Sequence, residues 1–391
     1  MPDALITRIA ARGDGVTDDG RFFAGTAPGD TVNPDGGIIP GPHRAPPVCR
    51  HFGQCGGCQL QHVDDAAYAQ FLIDRIVEAL HAQALSAPPI ATPHLSPPRT
   101  RRRATMRAER RGKAIALGFN EATSNRIVDL RECHVILPAL FEMVQPLRTL
   151  LATLLRERER ATVIMTNVDQ GIDLLLSGFE AEGLAANEAL SSFAECKALA
   201  RLSLDEGYGP AIRAMPTLVT ITLSGVPVAF PEGAFLQATA DGETALVAAV
   251  RTALDGAAHV ADLFAGLGTF ALALGTRTHA VEGNRDAVLA LKATGRVAVE
   301  HRDLFRRPMT RSELTPFDAV VLDPPRAGAV AQVAELAASA VPRIAYVSCN
   351  PATFARDARV LVAGGYRLEH ITPVGQFRWS THVELAAAFA R

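Results

Sequence analysis

"VADLFAGLGTF", Val260 to Phe270, decides how the C-terminal part of this chain is read. An apolar run of strand length ends in Asp262, and a loop with Gly266 and Gly268 leads into apolar residues of helical spacing. Glycines let a ligand approach the backbone, and the helix N-terminus behind them favours polar or anionic groups. A tight turn from strand to helix would carry the same two glycines, so the loop by itself is weak evidence. A second strand-like run, "THAVEG", strengthens it: Glu282 lies about 20 residues beyond Asp262, where an acid can accept hydrogen bonds from two ribose hydroxyls. A dinucleotide or S-adenosylmethionine fits this pattern.

Outward from this loop the grammar is regular. HVADLF, THAVE, RVAVE, DAVVLD and RIAYVSC are apolar runs of strand length separated by helical stretches. That alternation predicts an α/β fold with a doubly wound, mostly parallel sheet. "YRLEHITPV" and "VELAAAFA" at the end predict an antiparallel hairpin on one edge.

Two further strand ends carry chemistry. In "DAVVLDPPRAG" the run stops at Asp323, and Pro324 and Pro325 forbid its continuation, which holds Asp323 at the carboxyl end of the sheet. Arg326 stands where enzymes that methylate amines place an aromatic residue, which argues against chemistry on an exocyclic amine. In "YVSCNPATFARD", Cys349 follows a strand and precedes a helix start at Asn350 and Pro351. A thiol there is expected to have its thiolate favoured. A buried inert cysteine is the commoner case, but alignment with Asp262, Glu282 and Asp323 favours a nucleophile. His382 and Glu384 in "HVELAAAF" are two apart and share one face of a strand. Glu384 reads as a salt-bridge partner or, beside a nucleophile, as a general base.

The N-terminal part has other concerns. Cys49, Cys55 and Cys58 lie in "CRHFGQCGGCQLQH", and Cys133 follows in "LRECHVI". Four thiolates suit an iron–sulfur cluster or structural zinc. Cys196 has no partner in the sequence and is expected simply to be packed. "RTRRRATMRAERRGK", Arg99 to Lys113, holds eight basic residues and one acid, a local patch for a phosphate backbone or a solvated hairpin. Asp64–Ala84 and Leu137–Arg158 read as helices, and Thr31–Pro47 as a linker.

Composition bounds the whole. The 391 residues, 48% hydrophobic and 20% charged, predict two or three folded domains. A net charge of -2 gives no global attraction to nucleic acid, so any such binding is local. The N-terminus lacks the apolar core of a signal peptide, and Asp262 and several glycines break the most apolar stretch, so neither export nor membrane insertion is expected. Six cysteines in such a chain point to metal binding or catalysis in a reducing cytoplasm.

"CGGCQLQH", "LFAGLGTF", "DPPRAG", "SCNPATFARD" and "HVE", in this order, resemble the RNA 5-methyluridine methyltransferase family, in particular its iron–sulfur members that act on large-subunit ribosomal RNA. The resemblance spans most of the chain. It implies three parts: a truncated RNA-binding β-barrel-like segment at 1–45, an α+β central domain with the cysteine knot and basic hairpin at 46–225, and a Rossmann-like class I methyltransferase domain at 226–391. It also implies that Gln237 (in "FPEGAFLQAT"), Phe264, Thr269, Glu282, Asp303 and Asp323 surround S-adenosylmethionine, with Gln237 and Asp323 also reading the uracil. Cys349 would be the nucleophile and Glu384 the proton acceptor, while Cys49, Cys55, Cys58 and Cys133 would hold a [4Fe-4S] cluster. The expected substrate is a uridine in 23S ribosomal RNA, or alternatively in tRNA, and the protein is expected to be monomeric. The chain departs from the family at Ala265 and Thr269, where Cys and Asn are usual, and at Arg378 and Trp379, where proline and histidine are usual. A cytosine 5-methyltransferase and a non-catalytic RNA-binding iron–sulfur protein are the competing readings.

Overall fold

The computed structural model describes residues 3–391. Its largest sheet has eight strands in the order Ala298–His301, Arg277–Glu282, His259–Leu263, Ala319–Leu322, Arg343–Ser348, Glu384–Ala390, Arg367–Gly375 and His94–Leu95. The first five are parallel to one another, as the alternating pattern requires. They are apolar because helices cover both faces: Ala319–Leu322 is buried at every position. The chain leaves His259–Leu263 toward one edge and returns to Ala319–Leu322 on its other side, so the strand order reverses between these two. Ligands bind at such a switch point, outside the carboxyl ends of the strands.

The C-terminal hairpin forms, but not as a free edge. Glu384–Ala390 inserts antiparallel between Arg343–Ser348 and Arg367–Gly375, and the short strand His94–Leu95 closes the edge. The helix Asp65–His81, capped by the Asp64 side chain, also belongs to this body. Its Tyr68, Phe71, Leu72, Ile76 and Leu80 share one core with Phe354, Leu361 and Phe389. Residues within 46–225 by sequence therefore complete the C-terminal layer, because the apolar stripe of that helix finds its cover there.

A seven-stranded sheet spans Arg103 to Ala214, with its own core against helices Val144–Leu154 and Gly183–Cys196. The helical stretch expected from Leu137 breaks at Met143 into Pro138–Glu142 and Val144–Leu154. Cys196 is exposed rather than packed, since the last turn of its helix reaches solvent. At the N-terminus six two-residue strands form two three-stranded sheets. The expected linker contains one of their hairpins, Thr31–Val32 with Ile38–Ile39, closed by the bond from the Gly36 N–H to the Asn33 carbonyl. Asn-Pro-Asp-Gly between β-branched pairs is a turn signal, and it prevails over the linker-like composition.

Among the described residues no helix is long and apolar enough to cross a membrane.

Candidate active site

The register of the large sheet assembles the site. Ser348 pairs with Leu385 in antiparallel register, so the next positions, Cys349 and Glu384, face each other across neighbouring strands. Leu263 pairs with Leu322 and the Asp323 N–H donates to the Leu263 carbonyl at 3.2 Å, which sets Asp323 beside Phe264. Phe264, Asp323, Cys349 and Glu384 therefore line one edge.

Phe264 leaves its strand at φ 63°, a left-handed backbone that a bulky side chain rarely adopts. Such strain persists where the surroundings impose it, commonly at a functional site. Its ring meets that of Phe305, 5.3 Å between centroids. Gly266, also left-handed, gives its N–H to Glu282 Oε2 at 2.8 Å, and the Asn284 N–H donates to Oε1 at 2.6 Å. Each carboxylate oxygen keeps a lone pair for a ribose hydroxyl. Thr269 lies half-buried in the same loop. Asp303 is exposed; its Oδ1 accepts from the N–H groups of Phe305 and Arg306, and its Cα lies against Gly283. The loop, the acid and the two rings could hold S-adenosylmethionine.

Acidity at this edge follows from burial. Asp262 is wholly buried; Oδ2 accepts the Ala271 N–H at 2.8 Å, while Oδ1 has no partner among the described residues. Burial and the Asp323 charge push it well above the usual carboxylate range. Burial and the Glu384 and Glu282 charges do the same to Asp323. Burial raises Glu384 to about 7, against the opposing effects of a Gln376 hydrogen bond and the Arg101 charge. Cys349, half-buried, is raised to about 11 by desolvation and by the Glu384 and Asp323 carboxylates; Arg326 works the other way. The expectation of a favoured thiolate is thereby overturned: one helix N-terminus is outweighed by burial and two acids. Burial lowers the neighbouring His382, with Arg326 Nη2 3.4 Å from its Nδ1.

Gln237 is buried 33 residues before Phe270, yet its side-chain Oε1 accepts from Gln376 Nε2 at 2.7 Å, and that same nitrogen also bonds Glu384. Sequence reasoning missed Gln376, Arg101 and Phe305. Gln376 lies between two strand runs and carries no motif; only the aromatic "DLFRR" next to Asp303 hinted at Phe305.

The basic stretch does not form one free patch. Arg102 is buried against Glu243 and donates to the Gln237 carbonyl, and Arg103 donates to the Ala234 carbonyl. Arg101 stacks on Phe377, with 5.1 Å from its guanidinium carbon to the ring centre. Glu109 holds Arg111 and Arg160. A strand alternates its faces, so half of this run turns inward. Arg99, Arg107, Arg111 and Lys113 are exposed.

The cysteine knot docks on the segment around Cys133. Gly56 N–H donates to the Asn120 carbonyl at 2.9 Å, Arg50 N–H to Glu132, and the Arg131 N–H to His51 Nε2. Cys49, Cys55, Cys58 and Cys133 are free thiols. Each of the first three feels the charge of Cys133, and burial raises all three, Cys58 to about 12. Among the described residues no three His, Cys, Asp or Glu side chains are placed to hold a metal ion, so the expected cluster at these cysteines is not shown by the geometry. A mononuclear zinc site needs sulfurs about 2.3 Å from one centre. The knot also touches the active edge: Gln59 and Leu60 N–H groups both donate to the Trp379 carbonyl, at 2.8 and 2.9 Å.

Residues 295–391 match the family model described as tRNA (Uracil-5-)-methyltransferase. An RNA methyltransferase of Zymomonas mobilis is 51% identical, with 99% of each chain covered. The 23S rRNA (uracil(1939)-C(5))-methyltransferase RlmD of Thiobacillus denitrificans is 31% identical over 90% of this chain and 87% of its own. Among solved structures, tRNA (uracil-54, C5)-methyltransferase of Pyrococcus abyssi, in complex with S-adenosyl-L-homocysteine, shares the fold with a TM-score of 0.76. It is 20% identical, with all of both chains covered.

Proposed function

The chain belongs to the RNA 5-methyluridine methyltransferase family, and on that premise we propose that it methylates carbon 5 of a uridine in 23S ribosomal RNA with S-adenosylmethionine. The observation that carries this reading is the register that sets Cys349 opposite Glu384, beside Asp323 and the glycine loop.

Carbon 5 of uracil is a poor nucleophile. The Cys349 thiol gives its proton to solvent, its sulfur adds to carbon 6, the electron pair of the carbon 5–carbon 6 double bond shifts toward the carbon 4 carbonyl, and the ring becomes an enolate. Carbon 5 then takes the methyl group; the sulfur–methyl bond of the donor breaks and leaves S-adenosylhomocysteine. Glu384 removes the carbon 5 proton, the bond from Cys349 to carbon 6 breaks, and 5-methyluridine departs. With a pKa of about 7, Glu384 is poised for a base acting near neutrality. Gln237 and Asp323 hold the uracil edge, Glu282 the ribose of the donor, and Phe264 with Phe305 its adenine. Thr269 and Asp303 flank that pocket. The base must be unstacked to enter, which a looped RNA permits most easily. Ribosomal RNA is favoured over tRNA because the relative with 31% identity acts on 23S rRNA.

Cys49, Cys55, Cys58 and Cys133 would hold a [4Fe-4S] cluster. Such a cluster supplies rigidity and charge there, since methyl transfer needs no electron. The test is incubation with methyl-labelled S-adenosylmethionine and unmodified ribosomal RNA or tRNA, followed by digestion to nucleosides. Label in 5-methyluridine from ribosomal RNA supports the proposal; label only in 5-methylcytidine, or none, overturns it.

A further inference from the structure

We propose that Gln376 is a positioning residue that holds Glu384 with one N–H and Gln237 with the other, and thereby turns the Gln237 amide group toward the substrate as a donor. The inference rests on the uracil-C5 reading above and adds a residue to it.

The chain of logic begins at a backbone. The Thr239 N–H can only donate, so the Gln376 atom 3.3 Å from it is Oε1. That fixes which way the Gln376 amide faces, independently of its other contacts. Nε2 then has two hydrogens and two neighbours, Glu384 Oε2 and, at 2.7 Å, the side chain of Gln237. A donor requires an acceptor, so Gln237 presents Oε1 to it. The Gln237 NH2 is left over, and no acceptor bonds it among the described residues. It is not sealed off either, for it is absent from the buried atoms that lack a partner. Arg102 fixes the backbone here, through bonds from Nε to the Gln237 carbonyl and from its N–H to the Ala238 carbonyl. Gln376 itself is 1% exposed, so neither amide has room to reorient freely.

An NH2 held this way matches a pyrimidine carbonyl and opposes an exocyclic amine, because two donors facing each other leave both unsatisfied. Uracil carries the carbonyl at carbon 4 and cytosine the amine. The device thus couples two tasks: the residue that orients the base-reading amide also holds the carboxylate that takes the proton.

The experiment uses the full-length protein and the isosteric variant Gln376→Met, which keeps the volume and removes the amide. The titratable and charged groups facing Glu384, namely Arg101, Asp323 and Cys349, are unchanged in it. Glu384 is titrated by infrared difference spectroscopy, with Glu384→Gln identifying its band. Loss of the donated bond should move this titration upward by about one unit, because the bond favours the ionised form. The acid limb of the rate profile should move with it. A merely structural glutamine would leave both in place. Gln237→Glu is the second arm: it keeps the acceptor toward Gln376 and deletes the donor. Its KM for uridine-bearing RNA should rise roughly 10-fold. An unmoved Glu384 titration in Gln376→Met, or an unchanged KM in Gln237→Glu, overturns the proposal. If the wild-type protein makes no 5-methyluridine, the function reading fails, while the titration still decides the hold of Gln376 on Glu384.

Discussion

The active edge and the cysteine knot are both clusters of acidic groups withdrawn from water, and they are finished differently. At the edge, burial raises Asp262, Asp323 and Glu384, but Gln376 and Arg101 work against it at Glu384, and the Ala271 N–H bonds one oxygen of Asp262. In the knot, burial raises Cys49, Cys55 and Cys58, and the chief influence of the thiols on one another is repulsive. Burial at the edge is thus partly offset by the chain itself, whereas in the knot burial and mutual repulsion act on the thiols together, which is the arrangement the proposed cluster would relieve. The two meet at the Trp379 carbonyl, on a residue with left-handed φ of 59°. Tyr68 adds hydrogen bonds from its hydroxyl to the Phe377 and Ser380 carbonyls at 3.1 and 3.2 Å. The loop before Glu384 is thus pinned from outside the sheet.

The contrast yields four tests. Cys349→Ala should remove methyl transfer by at least ~10³-fold in single-turnover assays of 5-methyluridine, since the covalent route has no substitute. Its melting temperature should hardly change, because Cys349 is only half-buried. Activity surviving in this variant would break the view of the edge as a preorganised nucleophile site.

Cys58→Ser probes the other cluster. If the knot holds the proposed cluster, Cys58→Ser should lower the melting temperature by roughly 10 °C and abolish bound iron and sulfide, because the metal would then supply the stability of the knot. Tightly bound zinc in the wild-type protein, without sulfide, would replace the cluster with a mononuclear site.

Glu384 sharpens the comparison through pH. The folded protein holds its proton up to about 7, whereas an unfolded chain releases it near the ordinary value of 4.5. The folded state therefore binds more protons between these values, and stability falls as pH rises across them. Glu384→Gln should abolish this loss and be more stable at pH 8 by up to roughly 3 kcal/mol, measured by denaturant unfolding. The wild-type rate should rise with pH through about 7 as the base ionises. A flat profile between pH 6 and 8 would show that Glu384 is not the proton acceptor.

Tyr68→Phe is the mildest change. Loss of its hydroxyl should cost about 1 kcal/mol in unfolding and leave the cysteine knot intact, as read from metal content. A much larger loss of activity than of stability would show that the pinned loop sets the geometry of Glu384.

Much of this was legible in the residues. Asp262, Glu282, Asp323 and Cys349 stand at the ends of strand-length apolar runs, and period and proline stops locate such ends without a structure. Gln376 and Arg101 were not legible as parts of the site, since both reach it through side chains from segments without periodicity. Burial of half of the basic run was equally hidden, because it depends on which strand face meets a core.

By itself the sequence determined the alternation of strands and helices, the acid and thiol at the strand ends, and the four cysteines. These are local properties of pattern and spacing. Only the tertiary structure decided that Cys349 faces Glu384, that its thiol is raised rather than lowered, and that the knot grips the loop beside the active edge. Register and burial depend on contacts between residues far apart in the chain, and the electrostatics of a group follow from what surrounds it.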